Sequence, residues 1–321
     1  MKVVISGAAG PLGAAAGRAL AAAGHQAAPL AGDPRDPDAA AADLAGAGAL
    51  LHLAPLDAPP SGAPTPAASE YLDRATRGTY VLLRATAAAG VGRVVLGSAL
   101  ALLERYPAAW AVAESWRPRP DPADPAQLGA FLAEESAKQI ARAEPLQVVC
   151  LRLGRLVGDE ALREPYDPRW LHLEDAAQAL TLALTVPLQG RREEGREAPR
   201  QGWWLYHVPG GGACTRFPLG PAGAPPAERG LGYAPRHDFR ASPGAGIPPP
   251  EPEGAVAAGD LSLLGPVAPV GGRPIRNVVV FGAGGPLAAA AARALAPAYR
   301  LRLTDVRPLA DLQREGRPQS P

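Results

Sequence analysis

The chain has 321 residues, 47% of them apolar, and a formal net charge of +1 from 32 basic and 31 acidic side chains. That is enough apolar material for one large α/β domain or two moderate ones, and the balanced charge argues against a nucleic-acid or anionic-membrane partner. No apolar run approaches the roughly 18 residues a membrane-spanning helix needs, and Cys150 and Cys214 lie too far apart for metal-ligand spacing, so a reducing, cytoplasmic location is expected.

In chain order, the β-branched run at Lys2–Ile5 predicts a buried strand, and Pro11–Ala23 a helix that ends at Gly24. Ala27–Leu30 and Leu50–Ala54 read as strands. Tyr71–Ala89 reads as one long helix closed by Gly90. Arg93–Leu96 and Gln147–Leu153 are strands that flank a helix at Leu128–Ala143, and Leu173–Leu184 is a further helix before a strand at Trp203–Val208. Strands alternating with helices of this length imply a Rossmann-type doubly wound parallel sheet. From Phe217 to Pro274 the chain is rich in Pro and Gly. Leu231–Phe239 is expected to pack on the first domain, and 241–274 to act as linker. Residues 275–321 then repeat the opening pattern: an apolar strand, Gly282, Gly285, Ala288, an alanine-rich stretch, and Asp305 after a strand at Tyr299–Thr304. The expected organisation is 1–240 as dinucleotide-binding domain, 241–274 as linker and 275–321 as an incomplete second β-α-β unit.

Between the first strand and helix stand Gly7, Gly10 and Gly13, spaced Gly-X-X-Gly-X-X-Gly. The first allows a tight turn, the second lets a pyrophosphate approach the backbone, and the third lets helix pack on strand. The helix N-terminus offers free N–H groups to the phosphates. Ala9, Pro11 and Leu12 complete this loop, and Leu53 and Ala54 end the strand expected beside it. An acid about 20 residues past the glycines is expected to hold the adenosine ribose. Asp33 stands there, with Asp36 and Asp38 close by as turn carboxylates, and Arg35 could instead meet a 2′-phosphate. NAD is the expected cofactor, with NADP open.

The pieces Gly7-X-X-Gly10-X-X-Gly13, Leu51-His52-Leu53-Ala54, Gly78-Thr79-Tyr80-Val81-Leu82-Leu83, Gly90-Val91-Gly92-Arg93-Val94-Val95, Leu151-Arg152-Leu153-Gly154 and Trp170-Leu171-His172-Leu173-Glu174-Asp175 follow one another in an ordered series. Over about residues 1–240 the chain resembles the extended short-chain dehydrogenase/reductases, the NAD-dependent epimerase/dehydratase group. Glu104-Arg105-Tyr106-Pro107 and the Leu-Arg-Leu-Gly block look most like uronate dehydrogenases within it. The resemblance implies an oxidoreductase or epimerase acting on a sugar, sugar acid or nucleotide sugar, and allows a homodimer through helices that include Leu128–Ala143. It also implies a Tyr-X-X-X-Lys pair on that helix, and this chain lacks it: anchoring on Lys138 puts Glu134 at the tyrosine place, and other registers give Gly129 with Ala133 or Phe131 with Glu135. The asparagine place before Gly78 is Ala75, and the serine place falls on Ala99, or on Ser98 if the register slips by one. Ser98, Glu134 and Lys138 are therefore the catalytic candidates, with Glu135 as another base, and Arg152 the substrate candidate. The plain readings are a turn-capping serine, solvated helix carboxylates and a surface lysine. His52 is expected to be structural, and His172 with Asp175 to set a helix N-terminus. The competing function is a dinucleotide-binding protein without turnover, a sensor or partner subunit.

Overall fold

The computed structural model describes residues 1–58, 65–107, 110–163, 167–188, 202–211, 216–226, 230–239, 277–281, 291, 295 and 300–304. The chain divides into two compact units, Met1–Ala257 and Ala258–Pro321.

In the first unit, β1 (Lys2–Ser6), β2 (Gln26–Pro29), β3 (Ala49–His52), β4 (Arg93–Ala99), β5 (Gln147–Leu153) and β8 (Gly202–Val208) form one sheet in the order β2-β1-β3-β4-β5-β8. Every neighbouring pair is parallel. The strands between β5 and β8 in the chain, β6 (Arg155–Val157) and β7 (Trp170–His172), pair separately and in parallel. The sequence reading did not foresee these two, because three-residue strands carry no period to detect.

Both faces of the sheet are covered, so the strands read as near-continuous apolar runs. Val3, Ile5, Leu51, Val95, Val149 and Leu151 meet α1 (Pro11–Ala22) and α6 (Leu173–Thr185) on one face. Val4, Leu50, Val94, Leu96, Val148 and Cys150 meet α2 (Pro37–Leu44), α4 (Thr79–Ala88) and α5 (Pro125–Ala143) on the other. Each Leu or Val fully buried this way contributes about 1.5–3 kcal/mol. Small residues at the contact, Ala15 and Ala16 in α1 with Ala176, Ala179 and Ala183 in α6, are all buried and let those two helices approach closely.

The long helix expected at Tyr71–Ala89 is broken. It is α3 (Thr65–Asp73), a π-turn at Arg74–Gly78, and then α4. The Thr79 hydroxyl donates to Ala75 O at 2.6 Å inside that wider turn. The short α2, which periodicity did not reveal, begins where the Asp36 carboxylate accepts from Asp38 N and Ala39 N. Asp36 is thus a helix cap rather than a ribose ligand. After β8, Leu231, Tyr233 and Phe239 are buried, and Arg236 N and His237 N donate to the Asp175 carboxylate at the start of α6.

In the second unit, β9 (Asn277–Phe281) pairs in parallel with β10 (Arg300–Thr304), from Asn277 opposite Arg300 to Phe281 opposite Thr304. Gly282, Gly285, Ala288 and Asp305, and the whole expected linker 241–274, lie outside the described residues.

Candidate dinucleotide and substrate site

In the sheet order, the chain reverses direction of travel between β1 and β3, and crevices for ligands open at such a switch point, outside the carboxyl ends of the strands. There β1 stops at Ser6 and Gly7 turns with φ +78°, a conformation a side chain would strain. Gly10 caps α1, with Pro11 in its first turn. A β-carbon on Gly13 would lie 2.3 Å from Gly7 O, so only glycine lets the helix sit this close to the turn. Leu53 N donates to Ser6 O at 2.9 Å, and Ala54 N to Ser6 Oγ at 3.4 Å, which fixes the β3 loop as the other wall. Ala9 and Pro11 are exposed at the mouth while Leu12 is buried. The structure therefore gathers every residue the sequence assigned to the glycine crevice, together with Leu53 and Ala54.

The floor is held by a hydrogen-bonded chain. The Thr79 hydroxyl gives its proton to Ala75 O, so His52 Nε2 donates to Thr79 Oγ1 at 2.8 Å and His52 Nδ1 accepts from the Ser6 hydroxyl. Burial pushes His52 down to about 4, and the ring is a neutral strut, not an acid. Asp33, four residues beyond β2, receives the Arg35 guanidinium on both oxygens, and these hydrogen bonds hold its carboxyl down at about 2. Arg35 also pairs with Glu70 and Asp73 at 2.9 and 3.0 Å.

Beyond the crevice, Ser98, Arg152 and His207 lie side by side on β4, β5 and β8. Ser98 Oγ donates to Glu134 Oε1 at 2.6 Å. Arg152 grips both Glu134 oxygens, Nε at 2.9 Å and Nη2 at 2.7 Å. Both members of the ion pair are 3% exposed. Three donors converge on this one buried carboxylate. Burial, reinforced by Glu134, pushes the Cys150 thiol well up. Burial and the Arg152 charge push His207 down to about 3.

Ser98 gives its hydroxyl to Glu134 on α5, and Ala99 is the last residue of β4. Lys138 lies 3.8 Å from Glu135 and lines one cavity with Glu134, Glu135 and Arg152. Arg152 gives Nε and Nη2 to Glu134, while its buried Nη1 makes no hydrogen bond among the described residues. Counting back from Glu134 along its helical face gives Ala130 and Ala126, so no tyrosine or lysine stands on that face toward the amino end of α5. The tyrosine that packs there, Tyr71, is 2% exposed and donates to Pro55 O at 2.6 Å. Burial pushes its phenol up, which makes it a poor proton donor.

A cleft of about 470 Å³ continues along the carboxyl ends of β4, β5 and β8. Its polar lining is Glu104, Asp124, Gln127, Arg155 and Arg169. Arg169 binds both Asp167 oxygens and lies 3.5 Å from Glu104, while Arg155 is 64% exposed with one 3.6 Å approach to Asp167.

No protein-family model and no curated protein matches the chain. Solved structures do. Uronate dehydrogenase from Agrobacterium tumefaciens superposes with a TM-score of 0.59 at 19% identity, over 78% of this chain and 91% of that one. A tyrosine-to-alanine mutant of that enzyme, complexed with NAD, gives 0.58 at 19%, over 78% and 92%. UDP-N-acetylglucosamine 4-epimerase from Bacillus cereus gives 0.57 at 15%, over 75% and 96%. A short-chain dehydrogenase/reductase superfamily protein from Agrobacterium tumefaciens with bound NAD gives 0.53 at 20%, over 65% and 78%. The fold is the Rossmann-type α/β fold of these structures.

The glycine loop is legible in the sequence and the cleft is not. Glu104 stands in a family-like run, Asp124 and Arg169 lie in turns, Gln127 is in the first turn of α5 and Arg155 opens the three-residue β6, so no period marks them. Asp57 was missed as well. It has no motif partner nearby, and only the folded β3 loop brings it to the glycines.

Proposed function

We propose that the chain binds NAD in the glycine crevice and acts as an oxidoreductase or epimerase on a sugar, sugar acid or nucleotide sugar held in the adjoining cleft. The observation that carries this reading is the cradle itself: a β-carbon would lie 2.9 Å from Ala54 N at Gly7 and 2.3 Å from Gly7 O at Gly13, so only glycines let the loop pack this closely at the amino end of α1. That geometry fits a dinucleotide diphosphate. When bound there, NAD supplies the hydride acceptor and donor.

The chain's own residues supply binding and order. Asp33, in the loop after β2, is the carboxylate assigned to the adenosine ribose. Arg35 is already shared among Asp33, Glu70 and Asp73, so its charge is spent and a 2′-phosphate would meet three carboxylates; this favours NAD over NADP. In the cleft, Arg155 and Arg169 suit the carboxylate of a sugar acid or the diphosphate of a nucleotide sugar. Glu104, Asp124 and Gln127 suit its hydroxyls. The Glu134–Arg152 pair ties α5 to β5.

The test is turnover with NAD on a panel of uronic acids and UDP-sugars, read as nicotinamide absorbance and as epimerised product. Expected rates lie 10²–10⁴-fold below the roughly 1–10³ s⁻¹ of ordinary enzymes, since α5 carries no tyrosine to act as a positioned acid. Absence of reduced nicotinamide and of any altered sugar across the panel, with NAD bound, would refute the enzymatic reading and leave the non-catalytic one.

A further inference from the structure

The space that glycine leaves open at the crevice is already taken by a carboxylate. A β-carbon on Gly10 would lie 2.9 Å from Asp57 Oδ1, and one on Gly7 2.8 Å from Asp57 Oδ2. The missing side chain of the second glycine is the feature that lets a pyrophosphate oxygen reach the loop. In this chain an Asp57 oxygen stands beside that same spot, one oxygen against each glycine.

Asp57 follows the short turn Ala54–Leu56 at the end of β3, and Asp57 N donates to Ala54 O at 3.1 Å. Its side chain remains open to solvent, as the wall of an open crevice would be, and makes no hydrogen bond or ion pair among the described residues. The first turn of α1 contains no acid, so Asp57 is the anion that faces the partial positive charge of that helix end. Loss of hydration against the loop raises its carboxyl, and Arg74, exposed on the π-turn, works against that rise. Arg74 also bears on Asp33, which places one cation near both ends of the crevice.

We propose that Asp57 is a specificity-determining residue of the crevice: its carboxylate stands against Gly7 and Gly10 where a diphosphate would approach, and such a ligand binds only by displacing it. This rests on the dinucleotide reading above. Two anions cannot share the cradle without strong repulsion in a partly desolvated site, so Asp57 must swing toward solvent and Arg74 as the diphosphate arrives. The residue thus lowers affinity for every diphosphate-bearing ligand and leaves a neutral nucleoside unaffected.

Calorimetric titration of the full chain with ADP and, separately, with adenosine tests this. In Asp57→Asn, which keeps the shape and removes the charge, ADP should bind at least tenfold more tightly than in wild type while adenosine affinity stays the same. Asp57→Ser should act alike, and guards against a folding defect peculiar to one variant. Equal or weaker ADP binding in both variants, or equal tightening for adenosine, overturns the proposal while wild-type ADP binding preserves the dinucleotide reading. If ADP binds neither wild type nor any variant, the dinucleotide reading has failed, and this proposal falls with it.

Discussion

Glu134 and Glu135 are adjacent carboxylates on one helix, and nothing local in the chain separates them. The phase of α5 does: Glu134 turns inward to Arg152 and Ser98, and Glu135 turns outward to Lys138. A buried ion pair of this kind is costly to break because the survivor keeps its charge without a partner. Glu134→Ala should therefore destabilise the chain by about 3–5 kcal/mol, whereas Lys138→Ala should cost under about 0.5 kcal/mol. Urea unfolding at neutral pH measures both. Comparable small losses would show that Glu134 is solvated as Glu135 is. The residue types at this site were legible in the sequence, but their pairing was not, because it joins positions on a helix and a strand whose relative rotation only packing decides.

Most strands of the large sheet were legible as elements, being short β-branched or leucine-rich runs bounded by turn residues; β5 stands at Gln147–Leu153 as its sequence pattern predicts. The helices were less so. In an alanine-rich chain the apolar period is faint, and the break between α3 and α4 depends on Thr79 and on how closely the elements approach. Gly129 marks one such close approach: a β-carbon there would lie 2.5 Å from the Tyr71 hydroxyl and 2.6 Å from its ring, and the Tyr71 hydroxyl donates to Pro55 O. Gly129→Ala would ordinarily favour a helix by about 1 kcal/mol. Here overpacking should outweigh that gain and destabilise by about 1–3 kcal/mol. In a Tyr71→Leu background the same change should become neutral or stabilising. An identical effect in both backgrounds, measured by thermal unfolding, would mean that α3 and α5 do not meet at this point.

For the first unit as a whole, one physical arrangement organises the rest. Six parallel strands put the glycine loop at the reversal of strand order, α1 points its amino end there, and the β3 loop and α5 enclose the remaining sides. This much was visible in the spacing of Gly7, Gly10 and Gly13 after a buried strand. The substrate cleft was not, because its lining comes from segments distant in the chain that meet only at the carboxyl edge of the sheet. The central claim is that a diphosphate rests on bare main-chain amides at Gly10. Titration of NADH into the wild-type chain and into Gly10→Val, followed by nicotinamide fluorescence, tests it most directly. The account predicts saturable enhancement in wild type and none in Gly10→Val, with both proteins folded. Equal responses from the two, or none from wild type, would contradict it.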